Sequence, residues 1–290
     1  MSEKKKVAVF VIMGQSNATG HDLPMREEDK ILTPLTNVFG LDRKYNQSFE
    51  KTELFWTGYT SGGMNLAEEQ DHTYSIPNCL AALWQKHIDD GNALGLPDLY
   101  IIQIAIGSQG VTDGYMWNPD RKEKLIPGKL GVADISLFPF AKHIFSLIGD
   151  SFAQKEMEYE VIGLHWRGGE EDVFADKAYL EKNLEGIYVR IIDVFNELLD
   201  APPVILHKLV CPHRMEDEDP TGKALVNMHY SNEVFYRLEA QYPNVSVFDP
   251  TTAPYFIPDV RGNGMFKDDM VHFTPEMNRW IADSVMRKKI

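Results

Sequence analysis

The sequence predicts an α/β fold built on a mainly parallel sheet, on three observations. Short runs rich in Val, Ile, Leu and Tyr recur along the chain, amphipathic stretches lie between them, and long polar connections follow the ends of the apolar runs. Apolar runs that alternate with helical stretches mark parallel strands joined by crossover helices and buried on both faces. Five such runs predict a five-stranded sheet.

The expected strands are 7–13 (VAVFVIM), 99–106 (LYIIQIAI), 160–166 (EVIGLHW), 203–209 (PVILHKL) and 244–248 (NVSVF). Helices are expected over about 76–90, 134–153, 175–199, 221–241 and 275–288. In the third of these, Leu184, Ile187, Ile191, Val194, Phe195, Leu198 and Leu199 recur at helical spacing beside Asn183, with Glu181, Lys182 and Glu185 on the wet side. Pro139 places the start of the second helix at or after that residue, since proline lacks the N–H an interior position needs. The segments 17–75, 107–133 and 210–220 are left as long connections, and ligands of open α/β sheets collect at such strand-end loops. No repeat or Gly/Ser linker divides the 290 residues, so one domain spanning 1–290 is expected.

Composition narrows the function. Forty-three acidic against 29 basic side chains give a formal charge of −14, which repels a phosphate backbone or an anionic membrane surface. No nucleic acid or membrane partner is expected. The two cysteines, Cys79 and Cys211, are far apart and lack CxxC spacing, so they read as buried small hydrophobes rather than a disulfide or a zinc site. There is no HExxH and no His/Cys cluster, hence no expected metal or cofactor. The acidic run MEDEDP at 215–220 lacks the EF-hand pattern and reads as a solvated loop. The apolar run after MSEKKK is too short for a signal peptide and has no small-residue cleavage site, so a soluble, cytoplasmic protein is the expectation.

The first strand runs straight into the polar turn Gly14-Gln15-Ser16-Asn17. A serine at a strand tip suits a nucleophile, provided that a base lies within hydrogen-bond reach and an acid orients that base. DDMVHFTPE at 268–276 supplies both: Asp269 stands three residues before His272, close enough for the carboxylate to hold the imidazole, and Thr274-Pro275 open the last helix. GQSNA does not fit the GxSxG elbow of α/β-hydrolases.

Four blocks occur in order: GQSNA at 14–18, AIGSQG at 105–110, WRGGEED at 166–172 and DMVH at 269–272. Together they resemble the SGNH hydrolase superfamily, and within it the sialate O-acetylesterase and carbohydrate esterase family six (acetylxylan esterase-like) type. The resemblance implies a three-layer α/β/α sandwich of flavodoxin-like type and a catalytic triad of Ser16, Asp269 and His272. It also implies an oxyanion hole formed by the N–H groups of Ser16 and Gly107, with Gln15, Asn17 and Glu170 as supporting residues. Gly107 suits that role physically, because a strand-end glycine lets backbone approach a substrate closely. One position departs from the family pattern. Gly168 stands where the family carries the glutamine that serves as third oxyanion donor, and Arg167 and Gln109, read as loop residues, are the candidate substitutes.

The activity implied is removal of acetyl or another short acyl group from a carbohydrate hydroxyl, with an acylated carbohydrate as the partner. Two other readings compete: a lipase or thioesterase acting on longer acyl chains, and a carbohydrate-binding module on a catalytically weak esterase scaffold. Trp56, Tyr59, Tyr115 and Trp117 fall in the strand-end segments, where they either stack on sugar rings or pack under the loops.

Overall fold

The computed structural model describes residues 4–20, 23, 25–68, 73–121, 136–258 and 260–288. The first strand, β1 (Lys5–Gly14), lies in the interior of a seven-stranded sheet of order β3-β2-β4-β1-β5-β6-β7. Its direct neighbours are β4 (Asp98–Ala105) and β5 (Met157–Arg167), and β6 (Val204–His207) and β7 (Val245–Phe248) continue the sheet. These five are the strands expected from sequence. They run parallel in the order second-first-third-fourth-fifth, the flavodoxin-like arrangement.

Two strands were not expected. β2 (Val38–Leu41) pairs parallel with β4, and β3 (Trp56–Gly58) pairs antiparallel with β2 at the edge. Both lie in the segment read as a connection, and both are short and contain a glycine (VFGL and WTG), so neither carries a usable alternation.

The helices α3 (Ile76–Asp89), α6 (Lys177–Leu199), α8 (Lys223–Gln241) and α9 (Pro275–Met286) fall where expected. The stretch read as one helix over 134–153 is two, α4 (Leu137–Ser146) and α5 (Ile148–Gln154); α4 starts two residues before Pro139 and not at or after it, because a proline within the first turn forfeits no intrahelical hydrogen bond, and residues 134 and 135 lie outside the described residues. Short helices α1 (Ser16–Thr19), α2 (Arg43–Asn46) and α7 (Pro212–Glu218) complete the α-helices among the described residues. The last replaces most of the loop expected at 210–220.

Alternation along β1 builds two cores. Val7, Val9, Val11 and Met13 face Phe140 and Phe145 of α4, Phe152 of α5, Leu184 and Phe195 of α6, and Phe235 of α8. Ala8, Phe10 and Ile12 face Leu80 and Trp84 of α3 and Ile281 and Val285 of α9. A strand's side chains alternate between faces, so a run of apolar residues is what burial on both sides demands. The result is a three-layer α/β/α sandwich. Among the described residues no helix is long and apolar enough to cross a membrane.

One polar pair sits inside the sheet. His165 on β5 and His207 on β6 are both 0% exposed, with Nδ1 of the first 3.0 Å from Nε2 of the second. Burial holds both rings neutral, lowering the pKa of His165 to about 3 and that of His207 well below its ordinary value. In the unfolded chain both protonate near 6.5, so the stability that the neutral pair contributes is lost as pH falls below that value. Each ring shifts the folded-to-unfolded ratio by up to about tenfold per pH unit. Asp172 works the other way: burial pushes its carboxyl up to about 6, so it adds stability below about 4 that is gone above 6. One carboxyl offsets one imidazole, and a net loss remains. The urea midpoint is therefore expected to drop between pH 7 and pH 5, and a flat midpoint over that range would contradict the neutral pair.

Candidate active site

Ser16 is placed by an unusual strand end. Gly14 closes β1 at φ 136°, and a Cβ there would lie 1.9 Å from the carbonyl oxygen of Arg167 on β5. The Gln15 N–H donates to that same oxygen at 3.0 Å, so β1 and β5 stay joined to their tips. The indole N–H of Trp117 donates to the Gly14 carbonyl at 3.0 Å. α1 then starts at Ser16 and lasts four residues, ended by Gly20 in the left-handed region. Ser16 is 7% exposed, at the carboxyl edge of the sheet beside the switch between β1 and β5 where ligands of such folds bind.

Asp269 and His272 meet as their spacing suggests. Asp269 Oδ1 accepts from the N–H groups of Val271 at 3.0 Å and His272 at 2.9 Å, while Oδ2 lies 2.9 Å from His272 Nδ1. Partial burial acts to raise the Asp269 carboxyl, but the two backbone donors and the imidazole outweigh it and hold the pKa below the ordinary value. Met270, at φ 62°, makes the tight turn between them.

Asn17 ties this segment to the serine turn. Its Nδ2 donates to the Val271 carbonyl at 2.8 Å and its Oδ1 accepts from the Phe273 N–H at 3.0 Å, so one side chain grips the residues on either side of His272. These partners stand 254 and 256 residues away in sequence. The same Nδ2 lies 3.3 Å from Glu170 Oε1. Glu170 is 0% exposed and forms a buried ion pair with Arg167, Nη1 to Oε1 at 2.5 Å.

The remaining expected residues are placed as follows. The Gly107 N–H, just past β4, donates to Glu68 Oε2 at 2.9 Å, so in this conformation a buried carboxylate occupies the amide expected to face the oxyanion. Gln15 is 0% exposed, and its side-chain amide has no hydrogen-bond partner among the described residues. Arg167 is not a loop residue but the last of β5, fully buried and paired. Gln109 Oε1 accepts from the Met116 N–H at 3.1 Å. Trp56, Tyr59 and Trp117 are buried, and only Tyr115 of that aromatic group is partly open. Cys79 and Cys211 are free and buried, and burial pushes both thiols up to about 12.

Two residues were missed. Glu68 lies in NLAEEQ, where no pattern distinguishes it from a surface acid. Asp172 closes the WRGGEED block and so had a signal, but its task is visible only in space. Its carboxylate accepts from the N–H groups of Val111 and Thr112, each at 2.9 Å, and a Cβ on Gly110 would lie 2.3 Å from it. Asp172 thus pins the loop that carries Gly107.

No protein-family model matches the sequence, and no curated protein matches it. Solved structures do. A protein from Arabidopsis thaliana is 14% identical, covering 99% of this chain and 98% of its own, with a TM-score of 0.59. NanS is 14% identical, covering 100% of this chain and 99% of its own, with a TM-score of 0.57. An acetyl xylan esterase is 12% identical over 98% of this chain and 100% of its own, with a TM-score of 0.46. At such identities the first two show that the chain shares their fold.

Proposed function

We propose that the chain is a serine esterase of the SGNH hydrolase type that removes acetyl or another short acyl group from a carbohydrate hydroxyl. The observation that carries this is the Asn17 clamp, which binds the turn of Ser16 to the hydrogen-bonded Asp269–His272 pair at the carboxyl edge of the sheet. The four ordered sequence blocks supply the reaction class and the substrate class.

In this reading the Ser16 hydroxyl attacks the ester carbonyl while His272 takes its proton through Nε2. Asp269, bound to Nδ1, fixes the tautomer and stabilises the imidazolium. His272 then protonates the leaving alcohol, and water repeats the cycle on the acyl-enzyme. The Ser16 N–H and, once Glu68 releases it, the Gly107 N–H face the oxyanion.

The hold of Glu68 on Gly107 also favours the second reading, a carbohydrate-binding scaffold of weak activity. A carboxylate left beside a developing oxyanion opposes it by about 4 kcal/mol at 4 Å and an effective dielectric of 20. A fluorophosphonate probe separates the two readings. The esterase is expected to gain the probe's mass on Ser16, and Ser16→Ala is expected to abolish both labelling and turnover of p-nitrophenyl acetate and acetylated sugars. Sugar binding without labelling or turnover would establish the scaffold instead, and a preference for long-chain esters would move the substrate away from acetyl groups.

A further inference from the structure

Arg167 is the residue on which the serine turn and the histidine segment converge. Its backbone oxygen accepts the Gln15 N–H, one residue before Ser16. Its guanidinium carbon lies 4.6 Å from the ring centroid of Phe273, one residue after His272, and Phe273 is itself stacked on Phe266 at 5.1 Å and 14°. Its Nη1 pairs with Glu170 Oε1, the oxygen that Asn17 approaches at 3.3 Å while gripping Val271 and Phe273. The backbone contact needs no particular side chain, whereas the ion pair needs a cation of this reach and the ring contact needs a flat one.

We infer that Arg167 is a positioning residue for the reaction: its guanidinium sets the placement of His272 relative to Ser16, through Glu170–Asn17 on one side and the Phe273 ring on the other. This rests on the esterase reading above and extends it to a residue that touches neither substrate nor Ser16 Oγ. The physical ground is burial. Arg167 and Glu170 have side chains 1% and 0% exposed, so neither charge can turn to water. Without the guanidinium, Glu170 keeps its place only as a desolvated, uncompensated carboxylate or as a neutral acid. Either state changes what Asn17 Nδ2 binds, and Asn17 is the grip on both neighbours of His272. Loss of the cation from the Phe273 face loosens the same segment from below. Arginine rather than lysine is required for the stacking half of the task, because only the guanidinium is flat.

The test uses the full chain in three forms: Arg167→Met, Arg167→Lys, and the double variant Arg167→Met with Glu170→Gln, which removes both charges and so leaves neither buried alone. Expected in Arg167→Met is a kcat on p-nitrophenyl acetate 10- to 100-fold lower with KM within twofold, and a fluorophosphonate labelling rate of Ser16 reduced in proportion. Arg167→Lys, which restores the charge but not the flat face, is expected to recover part of that loss. The double variant is expected to unfold near the parent temperature yet to keep the reduced kcat, and its pH–rate profile is expected to shift because the surroundings of His272 have changed. A double variant whose kcat lies within threefold of the parent and whose pH profile is unchanged would overturn the inference, showing that the pair serves stability alone. Failure of the parent chain to label at Ser16 would instead strike the esterase reading.

Discussion

Replacing Asp269 by Asn is expected to lower kcat on a short-chain ester by about 10⁴-fold, the scale seen when the orienting carboxylate of a serine–histidine pair becomes an amide. The fold should survive. An asparagine Oδ1 can still accept from the N–H groups of Val271 and His272, which keeps the turn closed. What changes is the contact with Nδ1. The carboxylate accepts there, which leaves Nε2 as the base in the proposed reaction, whereas the amide NH₂ donates and favours the opposite tautomer. The Asp269 side chain is 34% exposed, so losing its charge costs the folded state little. Turnover and thermal unfolding measured on the same sample check this: a kcat within tenfold of the parent would remove Asp269 from the chemistry.

The second large effect is on stability. Gly14→Ala is expected to cost more than about 4 kcal/mol, a severity reserved for changes that the structure cannot absorb. Two faults coincide at this position. The backbone is at φ 136°, which residues with a Cβ avoid, and the added carbon would fall 1.9 Å from the Arg167 carbonyl oxygen, inside the β1–β5 junction. Backbone cannot swing aside as a side-chain tip can. Gly91→Ala is the control, since Gly91 sits at φ 104° but a Cβ there meets nothing within 4 Å, leaving strain of about 1–3 kcal/mol. Urea midpoints of the two variants separate overlap from strain, and equal losses would mean that the overlap is relieved. Because native chains are stable by only about 5–15 kcal/mol, Gly14→Ala should also yield little soluble protein.

What could be read from sequence follows the range of the interactions involved. The five strands expected from sequence were legible because each carries a run rich in Val, Ile, Leu or Phe with no proline or turn signal inside it, even where, as in β6 and β7, the strand is only four residues long, and α9 because Thr274 caps it and Pro275 opens it. The Asp269–His272 pair was legible because its contact spans a single turn. β2 and β3 were not, since strands of four and three residues with glycines are stabilised by their neighbours rather than by their own pattern. The grip of Asn17 on Val271 and Phe273 could not be read at all, because nothing local marks a partner on the far side of the chain. The aromatic residues taken as candidate sugar platforms show the same limit. Trp56 donates its indole N–H to Ser151 and Trp117 to Gly14, so tertiary packing, not residue type, decided their place.

The Asn17 clamp also bears on how the protein comes into being. β1 can pair with β4 and β5 once the chain has been made as far as Arg167, well past its midpoint, so the sheet's interior can form before the C-terminal segment exists. The clamp needs residues 271 and 273, and it spans nearly the whole sequence. Contacts of such separation form late, because the intervening chain must be ordered before they are rewarded. A ribosome-bound chain halted before residue 271 would therefore have its serine turn beside a sheet already built, without the Asn17 clamp. In the proposed esterase reading, turnover would begin only once the segment holding residues 271 and 273 has docked.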